Sequence, residues 1–184
     1  MSKVYVFLAT GFEEIEALTP VDILRRGGVD VNLVSITGNE IVTGARGINV
    51  KADVLFEDLD KDAADMLVLP GGMPGTTNLM AYEPLMELVK TYNSKGKYVT
   101  AICAAPTIFG KIGLLSGKKA TCYPGMEGDL TGADVKYESV VVDGNIVTSR
   151  GMGTALDFAL KLLEINTGSV EEAKSMATKV VYEY

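Results

Sequence analysis

Strand-length apolar runs alternate with helical patterns along the whole 184-residue chain, and this alternation restricts the fold more than any other feature. Val4 to Ala9, Val29 to Ile36, Met66 to Leu69 and Tyr98 to Ile102 read as strands of a sheet buried on both faces. Between them the period becomes helical. Ala17, Val21 and Leu24 share one face, with Pro20 expected to kink the segment and Gly27-Gly28 to end it. Leu85, Leu88, Val89 and Tyr92 recur at i, i+3, i+4 and i+7, Ala104 to Lys111 reads as another helix, and Lys119 to Cys122 as another strand. Parallel strands need crossover connections, and right-handed helical crossovers cover both faces of the sheet. The expected class is α/β, a doubly wound, mainly parallel sheet sandwiched by helices.

Elsewhere the pattern is broken by turn residues. From Thr37 to Asp60, with Gly44 and Gly47 as turns, short antiparallel strands are expected at the sheet edge. Ser139 to Val142 and Ile146 to Thr148 flank Asp143-Gly144, a strong hairpin signal. Two helices close the chain, one carrying Leu156, Ala159, Leu160 and Leu163, the other Ala173, Met176, Ala177 and Val180, with Gly168 and Ser169 as stop and cap. No repeat or linker interrupts the series, and roughly 150 residues per domain is usual, so residues 1–184 are expected to form a single domain.

Composition removes several function classes. A net charge of -7 opposes binding to a phosphate backbone, so no nucleic-acid partner is expected. No apolar run approaches the ~20 residues of a membrane span, so no membrane association is expected either. The opening Met1-Ser2-Lys3 leads into a strand-length run without a small-residue cleavage site, which points to the cytoplasm. There is no histidine, so imidazole-based catalysis within the chain is impossible. Cys103 and Cys122 form no CxxC pattern, and neither GxGxxG nor GxxxxGK occurs; no metal or cofactor is expected. A carboxylate cluster with Asp22 would need further oxygen ligands that the sequence does not identify.

In a sheet of this kind ligands gather beyond the carboxyl ends of the strands. Three turns there carry polar or reactive groups: Gly11 to Glu16, Pro70 to Gly75, and Cys103 to Pro106. Cys103 at a strand-to-helix turn resembles a nucleophile elbow, with Ala101, Ala104 and Ala105 small enough for a tight turn. A helix N-terminus would favour its thiolate and lower its pKa. A cysteine after an apolar strand is ordinarily inert packing, but the Gly71-Gly72 turn shifts the balance by offering amides beside the thiol. Glu13 and Glu14 fit the ordinary role of solvated acids complementing a helix dipole. Glu16 is the one expected to point inward, where desolvation would raise its pKa and let it move protons in place of histidine. Cys122 reads as structural, within a short strand, and Arg150 in Arg150-Gly151-Met152-Gly153-Thr154 offers a weak anion contact.

Together, Gly11-Phe12-Glu13-Glu14-Ile15-Glu16, Leu69-Pro70-Gly71-Gly72, Ala101-Ile102-Cys103-Ala104-Ala105-Pro106 and Thr148-Ser149-Arg150-Gly151-Met152-Gly153-Thr154 resemble the DJ-1/ThiJ/PfpI superfamily, on its DJ-1 side, over nearly the whole chain. The resemblance implies a flavodoxin-like sandwich and a homodimer, with Cys103 as the reactive cysteine and Glu16 as the carboxyl bonded to it. It further implies that the Gly72 and Ala104 amides form an oxyanion pocket. Where many relatives carry a histidine this chain has Tyr123, whose phenol is a poor base at neutral pH, which weakens a peptidase or amidase reading. The activity it implies is a stress response to reactive carbonyls, as a glutathione-independent glyoxalase or a deglycase acting on glycated adducts. The alternatives are a redox sensor or chaperone governed by Cys103 oxidation and, further off, a peptidase or a role in thiamine thiazole biosynthesis.

Overall fold

The computed structural model of the protein describes residues 2–183. β1 (Lys3–Leu8) leads through α1 (Glu14–Arg26) to β2 (Asp30–Ser35), and β3 (Ile41–Thr43), β4 (Asn49–Lys51) and β5 (Val54–Leu55) precede β6 (Met66–Leu69). α2 (Gly75–Ala81) and α3 (Glu83–Ser94) lead to β7 (Tyr98–Ile102), and α4 (Pro106–Lys111) to β8 (Lys119–Ala120) and β9 (Asp134–Val135). β10 (Val140–Asp143), β11 (Ile146–Ser149), α5 (Ala155–Thr167) and α6 (Val170–Lys179) complete the chain.

The main sheet has the order β10-β11-β7-β6-β1-β2-β5, parallel throughout except for β10. Successive side chains along a strand point to opposite faces, and because both faces are covered Val4 to Leu8 and Met66 to Leu69 are apolar at every position. In β1, Tyr5 and Phe7 join one core with Leu85, Val89 and Tyr92 of α3 and Phe109 of α4. Val4, Val6 and Leu8 join the other, with Ala17, Val21 and Leu24 of α1 and Phe158, Leu160 and Leu163 of α5. Each fully buried side chain of this size contributes roughly 1.5–3 kcal/mol. The architecture is the expected flavodoxin-like sandwich. Its topological switch lies between β1 and β6, because the chain leaves β1 on one side for β2 and returns on the other for β6.

Two local expectations are corrected, and one helix is added. β3 and β4 pair with each other in a separate antiparallel ribbon, and the sheet edge on that side is β5, parallel to β2. β8 stops at Ala120, pairs in parallel with β9, and leaves Cys122 beyond its end. Residues 75–81 form α2, a helix too short for its apolar period to stand out. The β10–β11 hairpin turns at Gly144 with φ +62°, as its Asp-Gly sequence suggests. Gly168 at φ +68° ends α5, and the Ser169 hydroxyl accepts the Glu172 N–H to cap α6.

Candidate active site

Cys103 follows directly on β7 and takes φ +65°, a left-handed conformation that costs a side-chain-bearing residue on the order of 1 kcal/mol. The turn is pinned on both sides. The Cys103 N–H donates to the Ser149 carbonyl at 3.0 Å, and the Cys103 carbonyl accepts from the Tyr123 N–H at 2.8 Å. Its thiol is thereby fixed at the carboxyl end of the sheet, beside the turn that follows β6.

Glu16 reaches the same point from the first turn of α1 and is 1% exposed. Its Oε2 accepts the Gly71 N–H at 3.0 Å, and the carboxyl is also hydrogen-bonded to the Cys103 thiol and the Met152 N–H. The Cys103 sulfur accepts from the Ala104 and Gly72 N–H groups. Glycine is required beneath this cluster: a Cβ on Gly71 would lie 2.6 Å from Glu16 Oε2 and 2.7 Å from Cys103 Cβ. Gly72, at φ +90°, turns its amide to the sulfur in a conformation that other residues rarely adopt. The structure thus brings Glu16, Gly71, Gly72, Cys103 and Ala104 together.

Burial pushes the Glu16 carboxyl up to about 7, against the pull of its hydrogen bonds. Burial, and then the negative charge of Glu16, push the Cys103 thiol up to about 12. The expected lowering of the thiol pKa is therefore corrected. The residue is desolvated, a carboxylate faces it, and α4 begins only at Pro106. Because the two groups share a hydrogen bond, these values belong to the pair. It loses one proton near neutrality and a second only in strong alkali. When the remaining proton sits on Glu16, the carboxylate charge that opposes ionisation of the thiol is gone.

Above the pair opens a cleft of about 420 Å³, lined also by Glu13, Arg46, Met73, Tyr123, Met126 and Met152. Tyr123 is 51% exposed at its rim. Arg150 lies apart from this lining. Its guanidinium donates to the Tyr137 carbonyl at 3.3 Å, faces the Tyr137 ring at 5.6 Å and stands 3.9 Å from Glu127. Cys122 is 1% exposed and packs in one core with Ala101 and Ala105, whereas Cys103 packs against the other, with Ile102.

Glu13 and Glu14 are not the solvated acids that their position suggests. Glu14 is 5% exposed and its Oε1 accepts the backbone N–H groups of Arg46 at 2.7 Å and Ile48 at 3.5 Å. Glu13 lies in the cleft wall, 3.7 Å from the Arg46 guanidinium. Both hold the β3–β4 turn against α1. The methionines and Arg46 escaped the sequence reading: Met73 and Met152 adjoin recognised motifs, but nothing in the pattern marks Arg46 or Met126.

The wall thus holds a thiol, a buried carboxyl and two N–H donors, the kinds of group that addition to a carbonyl carbon uses. Among the described residues, no group of three or more Cys, Asp or Glu side chains is placed to hold a metal ion, and no helix is long and apolar enough to cross a membrane.

The sequence profile of the DJ-1/PfpI family matches residues 2–165. DJ-1 homolog B of Arabidopsis thaliana is 43% identical over 164 residues, which are 88% of this chain but only 37% of that longer protein. Protein dj-1beta of Drosophila melanogaster is 38% identical over 187 residues, the full length of both chains. The oxidized DJ-1 of Toxoplasma gondii superposes with a TM-score of 0.95 at 38% identity, covering all of both chains. With profile, full-length relatives and fold in agreement, the chain belongs to the DJ-1/PfpI family.

Proposed function

We propose that this chain is a cysteine-dependent stress-response enzyme that detoxifies reactive carbonyls, with Cys103 as nucleophile and Glu16 as proton carrier. One observation carries the reading: a buried carboxyl, poised near neutrality, is hydrogen-bonded to the only thiol that opens onto a cleft among the described residues. Two relatives add support through their names. A glutathione-independent glyoxalase of Caenorhabditis elegans is 35% identical over 85% of this chain, and a deglycase of Pyrococcus abyssi is 37% identical over 82%.

In the proposed reaction the Cys103 sulfur adds to the aldehyde carbon of methylglyoxal while protonated Glu16 gives its proton to the forming alkoxide, leaving a hemithioacetal. The Gly72 and Ala104 amides, which bond the sulfur in the resting site, are placed to stabilise that oxyanion. Glu16, now a carboxylate, takes the former aldehyde proton from its carbon to give an enediol and returns it to the neighbouring carbon while the hydroxyl proton passes from the first oxygen to the second, converting the hemithioacetal to a lactate thioester. Water hydrolyses the thioester, so the sum is methylglyoxal plus water to lactate, with no external oxidant or reductant. Deglycase action would release the same carbonyl from an adduct first. Tyr123, in the place of an imidazole, favours these reactions over peptide hydrolysis.

Lactate formation from methylglyoxal without glutathione tests the reading. Saturable turnover by the wild type that falls to background in Cys103→Ala is expected. Equal rates for both proteins, at matched folding by circular dichroism, would overturn it.

A redox-sensor role is the second reading. It draws on the partial exposure of Cys103 and on a structural relative described as oxidized. In this reading peroxide converts the thiol to sulfenic or sulfinic acid without carbonyl turnover.

We also infer a single domain acting as a homodimer in the cytoplasm. Free cysteines suit a reducing compartment. The dimer rests on one surface, where Ile15 and Ile48 stand exposed beside Leu18, Leu156 and Val180. Glu14 Oε2 is buried there without a partner, while the adjoining Arg46 side chain is exposed. An unfilled acceptor beside an exposed guanidinium, held by Glu13 at 3.7 Å and the Ala45 carbonyl at 3.4 Å, suits a two-fold contact with a second copy.

A further inference from the structure

The cleft beside Cys103 is much larger than a three-carbon carbonyl. At about 420 Å³ it falls within the range of pockets that enclose drug-sized ligands. It also does not end at its own wall. Met73, Met80 and Met126 supply the apolar part of the lining of a second cavity of about 320 Å³, which four threonines, Lys111 and Asp129 complete. Four of the chain's eight methionines, Met73, Met80, Met126 and Met152, thus line two adjoining spaces that begin at the reactive thiol.

Met73 is 59% exposed and Met152 52%. Large apolar side chains concentrated around one opening, at a cost in solvation, mark a surface that binds apolar matter. Methionine suits this role because its unbranched, polarisable thioether adapts to chains of different shape. The charges favour a neutral ligand. Glu13 and Arg46 stand 3.7 Å apart in the cleft wall and offset each other, so with Glu16 beside them and a net charge of -7 on the chain the cleft has, among the described residues, no unpaired cation to hold an anionic tail.

We propose that this site selects neutral 2-oxoaldehydes bearing an unbranched apolar chain, and that Met73, Met126 and Met152 determine the selectivity. The proposal rests on the carbonyl reading above and extends it from the reacting carbon to the remainder of the substrate. The aldehyde carbon lies at Cys103, and the chain runs across Met73 and Met126 towards Met80. Each methylene that leaves water on binding raises kcat/KM, by roughly three- to fourfold where burial is complete.

The experiment is a chain-length series, from methylglyoxal to its propyl, pentyl and heptyl homologues, assayed on the wild type, Met73→Ser and Met126→Ser. The readout is the slope of kcat/KM against chain length, because a general loss of activity lowers every point and leaves the slope unchanged. A rising slope in the wild type that flattens in both variants is expected. A flat wild-type series with measurable methylglyoxal turnover would overturn the selectivity and leave the carbonyl reading standing. A second measurement judges the surface without turnover: the methionine methyl NMR signals, titrated with acetone or 2-octanone. Where no aldehyde is turned over, shifts at Met73, Met126 and Met152 with 2-octanone alone support the apolar surface on which the proposal rests, and their absence overturns it.

Discussion

The Glu16 carboxyl and the Cys103 thiol are hydrogen-bonded to each other across the backbone of Gly71, whose N–H holds Glu16 Oε2 at 3.0 Å. One residue comes from the first turn of α1 and the other from the end of β7, and they meet because β6 lies between β1 and β7 in the sheet. Their separation in the chain is bridged by parallel strand order alone.

The pH dependence of turnover follows from this pairing. The pair loses its first proton near pH 7, so kcat/KM for methylglyoxal should rise through a midpoint near neutrality. In Glu16→Gln the thiol ionises alone. It loses the repulsion of the carboxylate but stays buried, so the midpoint should move above the ordinary thiol value of 9, and the rate at pH 7 should fall by about 100-fold or more. Steady-state rates from pH 5 to 10 check both statements. An unchanged midpoint in the variant would remove Glu16 from the ionisation.

Stability carries the opposite sign. Folding raises the Glu16 carboxyl from 4.5 to about 7, so the folded protein holds a proton that the unfolded chain has released between those values. The stabilisation is complete below pH 4.5 and is lost as pH rises through 7, amounting to about 3 kcal/mol. Urea denaturation at pH 5 and pH 8 should show this loss in the wild type and a shallower one in Glu16→Gln. Cys103 adds a second loss in alkali, as its raised pKa requires.

Gly71→Ala places a methyl group 2.6 Å from Glu16 Oε2 and 2.7 Å from Cys103 Cβ, so the two must separate. Displacements of about 1 Å cost roughly 100-fold in rate, and overpacking typically costs about 1–3 kcal/mol. We expect losses of that size in kcat/KM and in denaturant stability. Wild-type activity in a folded Gly71→Ala protein would contradict the close packing described above.

The left-handed Cys103 backbone supports a comparison of two variants that lack the thiol. Glycine adopts φ +65° freely and alanine does not, so Cys103→Gly should be more stable than Cys103→Ala by about 1 kcal/mol. Thermal melts of the pair measure this. Equal stability would mean that the turn relaxes once the thiol is gone.

The proposed dimer can be broken at Ile15. Ile15→Glu places a charge in the exposed apolar surface beside the unpartnered Glu14 oxygen, and sedimentation should then find a monomer. A wild type that sediments as a monomer at micromolar concentration would remove the dimer from the proposed function.

The legible parts of this protein are those written in local pattern. Val4 to Leu8 is apolar at every position because both sheet faces are covered, and the sequence shows that directly. Asp143-Gly144 marks its hairpin because a backbone conformation selects the residue. Cys103 and Glu16 stood out by residue type and by their places in turns after strands. The cleft wall was illegible for a different reason. Arg46 arrives from a loop fixed by a distant partner, Glu14, and Met126 from a local turn closed by the Tyr123 carbonyl, which is itself placed by the Tyr123 N–H bond to the distant Cys103 carbonyl. Glu14 read as a solvated helix acid because its acceptors' partners lie on the β3–β4 ribbon, which no periodicity in α1 reveals. The raised thiol pKa depends on burial and on a facing carboxylate, both of which are properties of packing.

The two hydrogen bonds that pin the Cys103 turn come from Tyr123 and Ser149, and the Met152 N–H completes the bonding of Glu16. All three donors and acceptors lie later in the chain than the cysteine they organise. During synthesis, therefore, the thiol emerges from the ribosome well before the segments that shape its turn and charge its neighbour. A chain ending short of Ser149 lacks both the carbonyl that holds the Cys103 N–H and the Met152 N–H that bonds Glu16, so the turn and its carboxyl are completed only when that later segment packs beside them.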